Sequence, residues 1–335
     1  MTRLFPKAWV GTMTVGTIAP ASPAPNNFRQ RYERGIQNLK ALGLKVIEDR
    51  RVFAKNGHVA GTVGARVRHI HDLFQNPEVG MIISAIGGFN SNQLLRHIDY
   101  DLIQRNPKIL VGYSDVTNLH MAITKQTNLV TFYGPAIMPQ FGDFGGPIDF
   151  TLRNFKKAFQ PIPIGSLPVS EVFTEELLPW GTHDSRPKQM QPNSGWIICH
   201  EGKSEGYSLV ANLTTLMMTI ATRWEPIWQD KVLFLEEEGQ STQITDRCLT
   251  HLENIGVFEK IKGIVFGRSY GYKVVDSKYP LKRILRRFGR RYKIPVIANV
   301  DFGHSDPVLT LPQLIHVKVD TAKQDVAFTE AAVVA

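Results

Sequence analysis

The chain has 335 residues, 43% of them hydrophobic and 21% charged, with a formal net charge of +9, a composition that excludes a disordered or fibrous protein and leaves room for two domains. No apolar run reaches the roughly 18 residues a membrane span needs, and the two cysteines, Cys199 and Cys248, form no disulfide framework and no metal-ligand spacing. A cytoplasmic protein without a bound metal or cofactor is the expectation, and the positive charge comes without any nucleic-acid module signature, so a nucleic-acid partner is not expected.

The first element predicted is a strand at 15–19 that stops at Pro20. Arg3 and Lys7 ahead of it loosely resemble the start of a secretion signal, but Gly11, Thr12, Thr14 and Gly16 break the apolar centre such a signal needs. A helix at 30–42 closed by Gly43, a strand at 44–47, a helix at 64–75, a strand at 79–84, a helix within 91–105 and a strand at 109–111 follow. Strand and helix in alternation predict a doubly wound parallel sheet over residues 1–150, with ligands beyond the carboxyl ends of its strands. Both Gly87-Gly88 and Ser114 would lie there.

Residues 151–193 are rich in proline and turn formers and read as a linker and active-site loop, with 180–192 as its mobile part. From 194 to 335 come short β runs at 196–199, 232–235, 263–266, 295–297 and 315–319, with helices at 213–222 and 246–255 between them. This is a second, mixed α and β domain. Lys282, Arg283, Arg286, Arg287, Arg290, Arg291 and Lys293 alternate with Ile284, Leu285 and Phe288 at helical spacing, which predicts a surface helix with a solvated basic face.

Gly112-Tyr113-Ser114-Asp115 sits between the 109–111 strand and a helical pattern at 115–123. A serine on a sharp strand-to-helix turn exposes its hydroxyl beside an amide N–H at a helix start, the geometry of a nucleophile elbow; the alternative is that Ser114 or Asp115 merely caps the helix. A serine nucleophile needs a base, a group to orient it and donors for the oxyanion. Among the histidines, His304 stands in a turn-rich loop after a strand, whereas His69, His71 and His120 fall inside helical patterns and read as structural. Of Glu236, Glu237 and Glu238, the first is the best placed to point inward from the strand end, and Gly87-Gly88 can offer bare backbone N–H groups to an anion.

Six stretches in this order complete a pattern: Ile86-Gly87-Gly88-Phe89-Asn90-Ser91-Asn92, Gly112-Tyr113-Ser114-Asp115, Tyr133-Gly134-Pro135-Ala136, Asn212-Leu213-Thr214-Thr215-Leu216, Phe234-Leu235-Glu236-Glu237 and Gly303-His304-Ser305-Asp306-Pro307. Over nearly the whole chain this resembles the LD-carboxypeptidase serine peptidases, and most of all the microcin C self-immunity peptidases among them. The resemblance implies a Ser114-His304-Glu236 triad formed at a domain interface, with the N–H groups of Asp115, Gly87 and Gly88 as oxyanion hole. It implies hydrolysis of an amide in a small peptide or peptidyl-nucleotide, or, in the murein-recycling branch, release of a terminal D-alanine, and it implies a homodimer. Trp180 would stack a nucleobase or else pack on its own domain, and Asn212 would contact the aminoacyl end or else hold its turn. One position departs: Gln240 stands where the immunity peptidases carry a lysine near the substrate phosphate, and a neutral amide cannot pair with that charge.

Overall fold

The computed structural model describes residues 2–181, 184–271 and 275–335. In the first half, strands β1 (Thr14–Ile18), β2 (Lys45–Val46), β3 (Val79–Ser84), β4 (Ile109–Gly112) and β5 (Phe132–Tyr133) alternate with helices α1 (Ala24–Asn27), α2 (Arg29–Ala41), α3 (Val63–Gln75), α4 (Tyr100–Arg105) and α5 (Thr117–Thr127). These strands are parallel in the order β2-β1-β3-β4-β5. That is the doubly wound order, whose ligand crevice opens beyond the carboxyl ends where the chain reverses direction across the sheet.

The rest of the chain supplies α6 (Asp149–Ala158), β6 (Gly165–Ser166), β7 (Val172–Phe173), β8 (Gln191–Pro192), β9 (Ile197–His200), β10 (Lys203–Asn212), α7 (Leu213–Leu216), β11 (Lys231–Glu236), α8 (Thr242–Asn254), β12 (Gly263–Gly267), α9 (Leu281–Tyr292), β13 (Val296–Val300), β14 (Leu311–Pro312), β15 (His316–Asp320) and β16 (Asp325–Phe328). An eight-stranded sheet runs β6-β16-β15-β10-β11-β12-β13-β9, parallel from β10 to β13 and antiparallel on both flanks. β14 leaves this half and pairs with β5, Leu311 opposite Tyr133, so the last part of the chain also closes the edge of the first sheet.

Strand alternation divides the core. Ile109 and Val111 of β4 face the same cluster as Val232 and Phe234 of β11, whereas Leu110 points to the helix layer of α3 to α5 and Leu233 and Leu235 to that of α8 and α9. One continuous apolar core therefore joins the two sheets and holds the carboxyl ends of β4 and β11 in fixed register.

Several elements differ from expectation. β10, the longest strand, went unpredicted because its first half, Lys203-Ser204-Glu205-Gly206, carries no apolar run; it pairs there antiparallel with β15 and turns parallel to β11 only from Tyr207 onward. α6 was hidden in the proline-rich stretch, yet it buries Phe150, Phe155 and Ala158, with Phe155 edge-on to Phe141 and Phe159. The 91–105 helix is two pieces, a single turn at Ser91–Leu94 and α4, because Asp99 caps a fresh start by accepting from Leu102 N at 2.9 Å. In the 180–192 loop, Thr182 and His183 lie outside the described residues. Beside them Asp184 pairs with Arg31 at 2.8 Å and with Arg34, and Lys188 reaches Asp306 at 2.6 Å and Asp143 at 2.9 Å. α9 buries Ile284, Leu285 and Phe288 as the spacing predicts, and Arg287 and Arg291 on its basic face pair with Asp246 and Glu253.

Candidate active site

β4 ends at Gly112, and Ser114 follows in the left-handed region at φ 62° before a short turn leads into α5. A non-glycine residue held there carries strain of about 1–3 kcal/mol, which the surroundings must impose. They do so by crowding. A Cβ on Gly112 would come 2.9 Å from the Ser84 side chain, and one on Gly87 would stand 3.0 Å from the Ser114 Cβ and 3.1 Å from the Asp115 amide nitrogen. The Gly87-Gly88 backbone therefore passes directly against the serine, with Gly88 itself at φ 136°. The Asp115 carboxylate turns away and accepts from Ser91 N at 2.8 Å and Asn118 Nδ2 at 3.1 Å, tying the Gly-Gly loop to the elbow.

This contact makes a prediction. Gly87→Ala should displace Ser114 and Asp115 N by a few tenths of an ångström and lower kcat by roughly ten- to a hundredfold with little change in Tm. A steady-state comparison with the parent enzyme checks it; unchanged kcat would show that the Gly87 backbone plays no part in positioning the elbow.

At the end of β11 three consecutive glutamates meet three environments. Glu236 is fully buried. Its Oε2 lies 2.7 Å from His304 Nδ1, and its Oε1 accepts from the Tyr133 hydroxyl at 2.6 Å and from Asn212 Nδ2 at 3.1 Å. Glu237, on the opposite side of the strand, accepts from Thr214 N at 2.5 Å and so holds the start of α7; burial, reinforced by the Glu236 charge, pushes its carboxyl up to about 8. Glu238 is half exposed and brings its Oε2 to 3.0 Å from His304 Nε2.

His304 is reached by the loop after β13, and a Cβ on Gly303, at φ 106°, would fall 2.6 Å from Glu236 Oε2. Only glycine lets the backbone pass that close to the carboxylate. Burial opposes charge on the imidazole, but Glu236 and Glu238 outweigh it and raise its pKa to about 10. Tyr133 Oη joins the two ends of the site, accepting from Ser114 N at 3.0 Å while donating to Glu236.

Ser114 and His304 line one cavity of about 290 Å³, together with Gly87, Gly88, Trp180 and Glu238. Trp180 packs edge-on to Phe28 at 5.6 Å and under the Arg31 guanidinium at 4.7 Å, with its ring also bordering the cavity. Asn212 is buried and committed to structure, capping α7 through Thr215 N at 3.0 Å while donating to Glu236. Gln240 is half-buried beyond the residues that line the cavity. Lys188 is an ammonium at this cavity that the sequence reading did not single out, held between Asp143 and Asp306. Tyr133 and Glu238 were likewise missed: a strand tyrosine and the third acid of a run carry no local mark of what they touch.

Two family models match the chain, the LD-carboxypeptidase N-terminal domain over residues 15–134 and the LD-carboxypeptidase C-terminal domain over residues 205–319. The chain belongs to the LD-carboxypeptidase family. It is a serine peptidase-type hydrolase. The microcin C7 self-immunity protein MccF of Escherichia coli is 32% identical over 95% of this chain and 93% of its own length. The Bacillus subtilis "Probable murein peptide carboxypeptidase" is 30% identical over 95% of this chain and 92% of its own. A structure of MccF in complex with glutamyl sulfamoyl guanosine superposes with a TM-score of 0.92 at 30% identity, covering 98% of this chain and 99% of that one. An MccF-like protein from Bacillus anthracis gives a TM-score of 0.88 at 28% identity over 98% and 99%.

Proposed function

We propose that this peptidase hydrolyses the amide-type bond that joins an aminoacyl group to a nucleotide, in the manner of the immunity peptidases, through Ser114, His304 and Glu236. The observation that carries the reading is the Ser114 elbow on a cavity shared with His304, whose far nitrogen is fixed by a buried carboxylate. The nucleotide part of the reading is supported by MccF structures that hold glutamyl sulfamoyl guanosine and aspartyl sulfamoyl adenosine.

In this mechanism the Ser114 hydroxyl attacks the acyl carbon and passes its proton to His304 Nε2. The oxyanion forms against the N–H groups of Asp115, Gly87 and Gly88. His304 then hands the proton to the leaving nitrogen as the C–N bond breaks, and a water activated by the same imidazole frees the acyl group from Ser114. Glu236 keeps Nδ1 protonated and the ring oriented. Trp180 at the cavity wall offers a face to a nucleobase, and Asn212 acts by holding Glu236. Gln240 leaves the phosphate side without the lysine of the immunity peptidases, which reduces turnover of a charged phosphoramide. The enzyme works in the cytoplasm as a homodimer.

Glu238 has a defined part in this cycle. A base must be neutral, and Glu236 and Glu238 together raise the His304 pKa and hold its imidazole protonated at pH 7. Substrate entering between Ser114 and His304 has to displace Glu238 from Nε2. Glu238→Gln removes one of the two charges that hold the proton, so the rise of kcat/KM with pH should move to lower pH and activity at pH 7 should increase several-fold. A pH profile of both proteins tests this; an unshifted limb would remove Glu238 from the mechanism.

The murein reading rests on the Bacillus subtilis relative, which matches nearly as well. An aspartyl-adenylate analogue and a tetrapeptide ending in D-alanine, each incubated with the enzyme and with its Ser114→Ala variant, separate the two by mass. Serine-dependent cleavage of the analogue alone supports the immunity reading, and cleavage of the tetrapeptide alone replaces it with murein recycling.

A further inference from the structure

A second cavity lies away from Ser114, at the opposite end of the same elements. β11 ends at Glu236 and begins at Lys231, so the two are separated by roughly 16 Å of strand. α5 likewise starts beside the elbow and, in its last turns, presents Thr124 and Lys125 to this second cavity of about 280 Å³. The volume is at the lower edge of the roughly 300–1,000 Å³ typical of small-molecule sites. Its walls come from both halves of the chain.

The charge in this cavity is one-sided. Arg3, Lys125 and Lys231 line it, and no acidic side chain does so among the described residues. Arg3 is already paired with Glu330 outside the lining. Lys231 is different: it is only 9% exposed, and its ammonium lies 5.4 Å from the centre of the Tyr207 ring, the same ring that carries the Arg3 guanidinium at 5.2 Å. The nearest acid in sequence, Asp230, is engaged by Lys262 at 3.0 Å. An ammonium buried with no carboxylate paired to it is costly. Burial first, and then the Arg3 charge, bring the Lys231 pKa down to about 8, and the Asp230 charge opposes them only in part. The remaining wall is apolar, formed by Met121, Leu209, Pro226 and Ile227, and Ile227 is 60% exposed at the mouth.

We propose that this cavity is a second binding site, for a small amphipathic carboxylate whose anionic head pairs with Lys231 and Lys125 and whose apolar body lies against Met121, Pro226 and Ile227. Such a ligand supplies the missing counter-charge and, by touching α5 and β11 together, clamps the seam between the two halves. The proposal is independent of the substrate assigned to Ser114.

The test is calorimetric titration of the intact protein with benzoate, benzyl alcohol and inorganic phosphate. Benzoate should bind one to one and at least tenfold more tightly than either of the others, because benzyl alcohol lacks the charge and phosphate the apolar body. Lys231→Met should weaken benzoate at least tenfold, the loss expected for a charge-assisted hydrogen bond, while leaving kcat on the catalytic substrate unchanged. A second measurement does not depend on that variant folding: in protein reductively methylated with a carbon-13 label, the Lys231 resonance should shift on adding benzoate. Absence of benzoate binding, undiminished binding to Lys231→Met, an unmoved Lys231 resonance, or phosphate binding as tightly as benzoate would each overturn the proposal.

Discussion

Ser114→Ala is expected to lower turnover by at least roughly a thousandfold and to leave the fold intact. The substitution removes one oxygen from a cavity wall. Alanine at φ 62° bears a strain like that of serine, and the backbone N–H that donates to Tyr133 Oη at 3.0 Å is untouched. What survives is the oxyanion site and His304, which together give only a small residual rate by activating water. Turnover measured alongside thermal unfolding decides the matter. A Tm within a few degrees of the parent with activity gone assigns the nucleophile to Ser114, whereas activity within tenfold of the parent would return the residue to helix capping.

The residues that could be identified in the sequence are those whose neighbours along the chain already define their geometry. Ser114 lies between an apolar strand and a helical pattern, Glu236 at the end of an apolar run and His304 in a loop after another, so strand ends pointed to all three before any contact was known. Short continuous apolar runs carried the parallel sheet in the same way, since β3, β4, β11 and β12 are buried on both faces and so need apolar residues at successive positions. β10 escaped because half of it lies in an antiparallel pair with one wet face. Tyr133 escaped because its role is a hydrogen bond across 103 positions, and Glu238 because its contact with His304 depends on the path of a loop. Asn212 shows the converse. Its place in the family pattern suggested a contact with the aminoacyl end or a hold on its turn, and its amide bonds Glu236 and the first turn of α7, contacts that no local pattern separates from a substrate contact.

Glu236→Gln should cost about 10⁴ in kcat, the order of loss seen when a triad carboxylate becomes an amide, with little effect on KM because Glu236 lies behind His304 and does not line the cavity. The carboxylate accepts from three donors: His304 Nδ1 at 2.7 Å, Tyr133 Oη at 2.6 Å and Asn212 Nδ2 at 3.1 Å. A glutamine of the same shape has one accepting oxygen, so its NH₂ must face at least one of those donors. If it faces His304, the ring loses the acceptor that keeps Nδ1 protonated, and the tautomer with its proton on Nε2, turned to Glu238, takes over; that form cannot receive the serine proton. If it faces Tyr133, the hydroxyl turns away and the anchor on Ser114 N is loosened. Either arrangement leaves a buried donor unpaired at a cost of about 1–3 kcal/mol, so Tm should fall by several degrees even though no volume is lost. The kinetic loss must exceed what this destabilisation explains, which a folded-state assay well below Tm establishes. A variant that kept activity within tenfold would show that His304 is held by Glu238 and its loop alone, and Glu236 would then be a structural carboxylate binding Tyr133 and Asn212 across the seam of the two sheets.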